Sequence, residues 1–411
     1  MTQWQSSSSM QRKLKVNAIA GQGGGGHYAM YNALCAIALA QQLPWEFQVT
    51  DMDDIIDSLA QQKQVVNAYN MMGFSGHDLY NMMMQSGWTW LWPLKMRLNK
   101  FLVKLNHDAG VQFFEQYWRE QQPDIVVSVM PLYNKGLWQS LQKALPGTPY
   151  VTIVGDYADY PPAFWLEPET ESYVMCPTQK AVEQAHALGV KQEYIVRTSG
   201  TIVHPRFYEP ITCDRAMERQ KLGLDPDCLT GLVIFGGYGS PVMLDIAKQL
   251  ERFDQKLQLI FICGRNEELA TQLQESQGSQ KRFVTAYTKD IPYYMHLSDF
   301  LINKPGACSV SEALVMKRPM IMERNASTLI HERYNTTWVE ENDMGIVLPS
   351  FRQIGKAVEK FLQPETFACY QVNAANANNR AVFEISEFLQ NLVATDLSTK
   401  KSLASGEKVK G

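Results

Sequence analysis

Short continuous runs of apolar, often β-branched residues alternate along this chain with longer segments in which apolar residues recur at helical spacing. Continuous apolar runs bounded by turn residues mark parallel strands covered on both faces. Lys15–Ala20, Glu46–Thr50, Ile125–Val129, Tyr150–Val154, Tyr173–Cys176 and Ile195–Thr198 form one series. Helices are predicted between them at Tyr28–Gln41, Met52–Gln64 and Ala109–Gln121, with another ending at Leu188, where Gly189 stops it. The pattern breaks at Pro205 and the polar stretch to Asp227. It resumes with strands at Leu232–Phe235, Leu257–Cys263, Arg282–Thr285, Phe300–Ile302, Pro319–Met322 and Gly345–Leu348. Helices are expected at Pro241–Glu251, Ile291–Leu297, from Cys308 or Ser309, at Ser350–Leu362 and at Val372–Leu392. The pattern predicts an α/β chain with two Rossmann-like parallel-sheet domains in tandem, 15–205 and 206–370. Residues 371–393 are expected to form a helix returning toward the first domain, and 1–14 and 394–411 to be disordered.

Each half opens with a strand, a glycine turn and a helix. In the first half the turn is Gly21-Gln22-Gly23-Gly24-Gly25-Gly26-His27. Gly21-x-Gly23-x-x-Gly26 fits a dinucleotide turn, with Asp51 as the ribose acid. The same turn also fits an acceptor site at Gly25 and Gly26, with His27 as general base. A third reading has glycines that only permit close strand–helix packing and a histidine that caps the helix. His27, Pro131 and Asp156 all fall at carboxyl ends of predicted strands, where open parallel sheets bind ligands.

The second half reorders these readings. It carries Gly236-Gly237-Tyr238-Gly239, then Gly264-Arg265, then Asn303-Lys304-Pro305-Gly306-Ala307-Cys308-Ser309 running into Glu312. A helix N-terminus after Pro305-Gly306 can hold a diphosphate through its free N–H groups. Lys304 adds a cation, and Glu312 can accept hydrogen bonds from ribose hydroxyls. Ser309 and Glu312 also fit a capping pair. Glu332 and Asn335 at a later helix start offer polar groups to a sugar, or form a solvated first turn. A dehydrogenase would leave the second glycine turn and the Glu312 helix without a role.

The segment 66–106 is rich in Met and Trp, including Trp88, Trp90 and Trp92, and its end bears Lys95, Arg97, Lys100 and Lys104 with no acidic residue after Pro93. It reads as an interfacial surface resting on a bilayer, anionic lipid included, or as a buried excursion whose large side chains fill the core. A net charge of −4 argues against nucleic acid as partner. The seven cysteines contain no C-x-x-C pair, so reduced thiols are expected, not disulfides or a metal framework. The polar start lacks an apolar signal core, and no apolar run is long enough to span a bilayer. A cytoplasmic protein, peripheral on the membrane, is the expectation.

Taken in order, Gly23 to His27, Val127 to Leu132, Gly236 to Gly239, Ile262 to Asn266, Asn303 to Ala313 and Glu332 to Asn335 resemble the GT-B glycosyltransferases. The likeness is strongest to the branch of monogalactosyldiacylglycerol synthases and MurG-type N-acetylglucosaminyltransferases. It implies two domains facing each other across a cleft. It further implies inverting transfer of a hexose from a UDP-sugar to a lipid hydroxyl, diacylglycerol-like, with no metal and no cofactor. By the resemblance His27 is the base, and Asp156 orients His27 or the acceptor. Gly237, Gly239, Gly264, Arg265, Lys304, Pro305, Gly306 and Ser309 surround the diphosphate, while Glu312 holds the ribose. Phe283 and Val284 flank the uracil, and Glu332 and Asn335 hold the sugar. The chain departs from the glycolipid synthases at His331, where they have Gln, and at Pro305 to Cys308, where one glycine of their turn is replaced. A UDP-sugar epimerase or hydrolase on the same fold, or an inactive lipid- or nucleotide-binding relative, are the alternatives.

Overall fold

The computed structural model describes residues 12–22, 25–61, 92–276 and 278–405. The first lobe is built on β1 (Leu14–Ala20), β2 (Trp45–Asp51), β3 (Ile125–Ser128), β4 (Tyr150–Ile153), β5 (Tyr173–Cys176) and β6 (Ile195–Arg197). The second is built on β7 (Leu229–Ile234), β8 (Leu257–Ile262), β9 (Arg282–Thr285), β10 (Phe300–Asn303), β11 (Met320–Glu323) and β12 (Gly345–Leu348). Each lobe holds one six-stranded sheet, in the orders β2-β1-β3-β4-β5-β6 and β12-β11-β10-β7-β8-β9. All the pairings are parallel. Burial explains the apolar runs: every residue of β3, β4 and β8 is buried, because helices cover both faces.

In each sheet the strand order reverses beside the first strand, between β1 and β3 and between β7 and β10. A crevice opens at such a switch point. The glycine turn and Pro131 follow β1 and β3. The Gly236 turn and the Lys304 turn follow β7 and β10. The topology therefore gathers the predicted site residues at two crevices.

Helix α1 (Gly26–Ala40) starts earlier than its apolar spacing suggests. Its cap is Gly25, with φ 78°, a left-handed conformation that favours glycine. His27 therefore lies inside the first turn and is not the cap. After β2 come α2 (Met52–Gln61), α3 (Trp92–Leu105), α4 (His107–Gln121), α5 (Asn134–Ala144) and α6 (Gln179–Ala187). Asp51 accepts from the Tyr28 hydroxyl at 2.5 Å and from the Asp53 backbone at the start of α2, so it is engaged inside the protein instead of holding a ribose. The second lobe adds α7 (Arg215–Lys221), α8 (Val242–Leu250), α9 (Glu267–Glu275), α10 (Ile291–Leu297), α11 (Ala307–Val315), α12 (Arg333–Glu341), α13 (Ile354–Phe361) and α14 (Pro364–Asn376).

The predicted helix 372–392 is two helices. α14 ends at Asn376, and α15 runs from Ala381 to Ser405, so residues 394–405 are helical where disorder was expected. The Asn-rich join explains the break: the Asn379 side chain accepts from the Ala381 N–H at 3.0 Å and donates to the Thr201 carbonyl at 2.9 Å. As expected, α15 returns to the first lobe. Ala381, Val382, Ile385, Leu389 and Val393 are buried in that lobe's core, and Ser386 donates to Gln41 at 2.8 Å.

Candidate active site

His27 projects from the first turn of α1 into a cavity of about 700 Å³ in the first lobe. Met52, Ile55 and Ile56 of α2, Met96 and Val103 of α3, Phe114 of α4 and Leu137 of α5 wall it. Asp156, Pro131, Trp92, Trp165 and His331 line it together with His27. Burial pushes the His27 imidazole down to about 4, with His331 adding to the fall and the Gly21 backbone and Asp51 pulling the other way. The ring is therefore neutral at physiological pH. Its Nδ1 is buried without a hydrogen-bond partner.

Trp165 stands between Asp156 and His27. The Asp156 carboxylate accepts from Trp165 Nε1 at 3.0 Å, and the indole packs edge-on against His27, ring centroids 6.1 Å apart. Burial raises the Asp156 pKa, and His331 opposes the rise. Trp165 is fixed in turn by Asp159, whose carboxylate accepts from the backbone N–H groups of Ala163, Phe164 and Trp165 at 2.7, 2.9 and 2.6 Å. Neither Phe164 nor Trp165 stands out in the sequence. The signal that could have found them is the aromatic pair after Tyr160-Pro161-Pro162, just past a strand end.

Trp92 is not a membrane-facing residue: it is 6% exposed, belongs to the first lobe's core, and meets His331 with ring centroids 5.7 Å apart. The buried reading of the Trp-rich segment therefore holds at this position. Trp88 and Trp90 lie outside the described residues.

The second lobe presents the start of α11 to this site. Gly306 caps the helix, which begins at Ala307. Ser309 donates from inside the first turn to Gly306 O at 3.0 Å and Lys304 O at 3.2 Å, so it makes no capping pair with Glu312, which lies one turn further on. A Cβ built on Gly236 would lie 3.8 Å from Lys304 Nζ, so the ammonium sits against the β7 turn. A Cβ on Gly306 would lie 3.5 Å from Glu332 Oε1. Across the gap, a Cβ on Gly26 would lie 3.8 Å from Cys308 Sγ, so the starts of α1 and α11 face each other. Burial pushes the Glu312 carboxyl up to about 7, against the pull of Arg206.

The remaining donor-side residues take varied places. A Cβ on Gly264 would strike Gly237 O at 2.4 Å and one on Gly239 would strike Cys263 O at 2.6 Å, so these glycines let the turns after β7 and β8 touch. Arg265 stands between the half-exposed rings of Tyr238 and Tyr287, 5.9 and 5.8 Å from their centroids. Phe283 turns its side chain inward to stack on Tyr294, and Val284 packs on the core, which leaves main chain of the edge strand β9 for a base.

Asn335 does not present free groups to a sugar. It is fully buried; its Oδ1 accepts from Tyr157 N–H at 3.1 Å and its Nδ2 donates to Pro305 O at 2.9 Å. It ties the two lobes together beneath the Pro305-Gly306 turn. Among the described residues, no group of three or more His, Cys, Asp or Glu is placed to hold a metal ion.

Two parallel-sheet lobes that meet across a cleft, with ligand turns at both switch points, define the GT-B class of fold. The chain has this glycosyltransferase fold and resembles the monogalactosyldiacylglycerol synthases along its first half. Residues 35–201 match the family model described as monogalactosyldiacylglycerol (MGDG) synthase, and residues 232–391 match the glycosyltransferase family 28 C-terminal domain. A probable monogalactosyldiacylglycerol synthase 2, chloroplastic, of Oryza sativa subsp. japonica is 28% identical over 66% of this chain and 59% of its own length. The chain thus spans less than two thirds of that relative. Monogalactosyldiacylglycerol synthase 1, chloroplastic, of Arabidopsis thaliana is 26% identical over 93% of this chain and 72% of its own. Among solved structures, S. aureus MnaA in a co-structure with UDP shares the fold with TM-score 0.59, at 15% identity over 94% of this chain and 97% of that one. Acinetobacter baumannii MurG does so with TM-score 0.56, at 13% identity over 92% and 100%.

Proposed function

We propose that this protein transfers a hexose from a UDP-sugar to the hydroxyl of a diacylglycerol-like lipid, with inversion, at a membrane surface. The observation that carries this reading is the place of His27. It opens into an apolar cavity on one side and adjoins Gly26, which faces the α11 start, on the other. The unprotonated ring takes the proton of the acceptor hydroxyl. The resulting oxygen attacks the anomeric carbon from the side opposite UDP, and a single displacement inverts that carbon. The positive end of α11 and the Lys304 ammonium stabilise the departing diphosphate. Glu312 is set to accept from the ribose, Glu332 from the sugar, and Asp51 stabilises the imidazolium as it forms. UDP in the MnaA co-structure and the glycosyltransferase family 28 match support the donor. The fold is also that of a UDP-GlcNAc 2-epimerase from Listeria monocytogenes at TM-score 0.55, but the apolar cavity has no use in epimerisation. Incubating UDP-sugars with and without diacylglycerol, read by product mass, separates the two. Sugar conversion without lipid would point to an epimerase or hydrolase, and UDP binding without any turnover to an inactive relative.

The same reading predicts where the protein meets the bilayer. α3 walls the cavity with one face and exposes Leu94, Phe101 and Leu105 on the other, at 66, 61 and 55%, beside exposed Arg97 and Lys104. Apolar side chains among cations on one helix face suit an anionic interface. No helix among the described residues is long and apolar enough to cross a membrane. The protein is expected to co-float with vesicles containing anionic lipid. Changing Leu94, Phe101 and Leu105 together to Ser should weaken binding at least about tenfold, from the lost apolar burial. Equal flotation of the triple variant would remove α3 from the contact.

A further inference from the structure

We infer that an aromatic seam between the lobes aligns His27 with the donor turn at α11, with Tyr160 and Tyr334 as positioning residues for transfer. The inference rests on the transfer reading above and adds to it what sets the two half-sites against each other.

Side chains that follow β4 in the first lobe meet side chains at α12 of the second in antiparallel order. Phe164 stacks on His331 with ring centroids 5.6 Å apart and planes at 29°. Tyr160 lies against Tyr334 at 5.9 Å and 38°. Tyr157 lies against Trp338 at 4.7 Å and 54°. Tyr334 and Trp338 stand one turn apart on α12 and share a face, and His331 continues their row just before the helix. Such separations are those of favourable aromatic pairs. Both ends of the row are pinned in the opposite lobe. Tyr157 is buried in the second lobe's core, and its hydroxyl pairs with Ser311 of α11 at 2.8 Å. Leu329, two residues before His331, is buried in the first lobe's core.

The seam touches both halves of the site. At one end Trp165, next in the chain to Phe164, meets the ring of His27. Toward the other, Ser311 directly precedes Glu312, and Asn335 holds the Pro305 carbonyl. Base and donor turn are thus referred to the same row of rings. Sliding one lobe along the other would break the three contacts together. A misplacement of about 1 Å between reacting groups can cost about 100-fold in rate. The middle pair acts through alignment alone. Tyr160 and Tyr334 are half-buried and do not line the cavity. Phe164 and His331 do line it, and Tyr157 carries hydrogen bonds that hold the fold.

Tyr160→Ala and Tyr334→Ala are each expected to lower kcat at saturating donor and lipid by about 10- to 100-fold. The dissociation constants for UDP, by calorimetry, and for diacylglycerol, by tryptophan emission, should not move. Tyr160→Phe and Tyr334→Phe keep a ring and should retain the rate. Y160A/Y334A should be no slower than the slower single variant, because both changes remove one contact. All rates are taken below each variant's melting temperature. An unchanged kcat, or a loss found only in KM or in a dissociation constant, would overturn the inference. A second measurement needs no turnover: the distance between spin labels carried by unnatural amino acids at the exposed positions of Lys143 on α5 and Lys360 on α13. The otherwise unchanged protein should give one narrow distribution, and Y160A/Y334A a broader one. Equal distributions would overturn the inference even where the rate falls. Broadening in a protein that transfers sugar to no lipid would sustain the alignment and sink the transfer reading instead.

Discussion

His27→Ala is expected to lower kcat for sugar transfer by about 10²- to 10⁴-fold, the usual contribution of a positioned general base. UDP binding should be unchanged, because the proposed diphosphate site is α11 and Lys304, not His27. Rate measured at saturating donor and lipid, with UDP affinity by calorimetry, checks both halves. Retention of the full rate would end the base assignment. The pH profile gives a second check. With an imidazole at about 4 instead of 6.5, kcat/KM for the lipid, measured at saturating donor so that Glu312 is already engaged, should stay level as pH falls through 6.5 and decline only nearer 4. Stability moves with it. Between those two values the unfolded chain binds a proton at this site and the native state does not, so stability falls as pH drops through that window. His27→Ala should remove that part of the slope in a denaturant titration.

Asn335→Ala is expected to have the largest effect on stability. It leaves a buried Tyr157 N–H and the Pro305 carbonyl without partners. Each such group costs about 1–3 kcal/mol, so a loss of about 2–6 kcal/mol is predicted. The change should also raise KM for the UDP-sugar, because the Pro305-Gly306 turn that starts α11 loses its support. Thermal melting without ligand, followed by donor kinetics below the new melting point, tests both effects. An unchanged melting temperature with a raised KM would return Asn335 to direct contact with the sugar.

The contrast between these residues shows what a linear reading could reach. Strands, glycine turns and the Lys304-to-Glu312 stretch were legible because their pattern is local: burial on both faces writes continuous apolar runs, and a turn needs its glycines in place. His27 was legible because it follows such a turn. What was hidden depends on contacts between the lobes. Asn335 looked like a polar group at a helix start, and only its hydrogen bonds to Tyr157 and Pro305 make it a tie. Trp92 sat in an aromatic-basic run that also describes a bilayer surface, and burial against His331 decided between the two. Trp165 had only its place in an aromatic pair past a strand end to mark it, since its position is set by Asp159 and Asp156 together. Within the same segment, the exposed apolar side chains of the described part are Leu94, Phe101 and Leu105, which carry the proposed membrane contact in place of Trp92.

The return of α15 to the first lobe has a consequence for how the molecule is made. The hydrophobic interior of the lobe that is synthesised first is closed by Val382, Ile385 and Leu389, which leave the ribosome only after every strand of the second lobe. The second lobe, whose sheet needs nothing beyond β12, can settle while the earlier half still waits for its last wall. A protein truncated after α14 would therefore be expected to keep a folded second lobe beside an open, aggregation-prone first lobe.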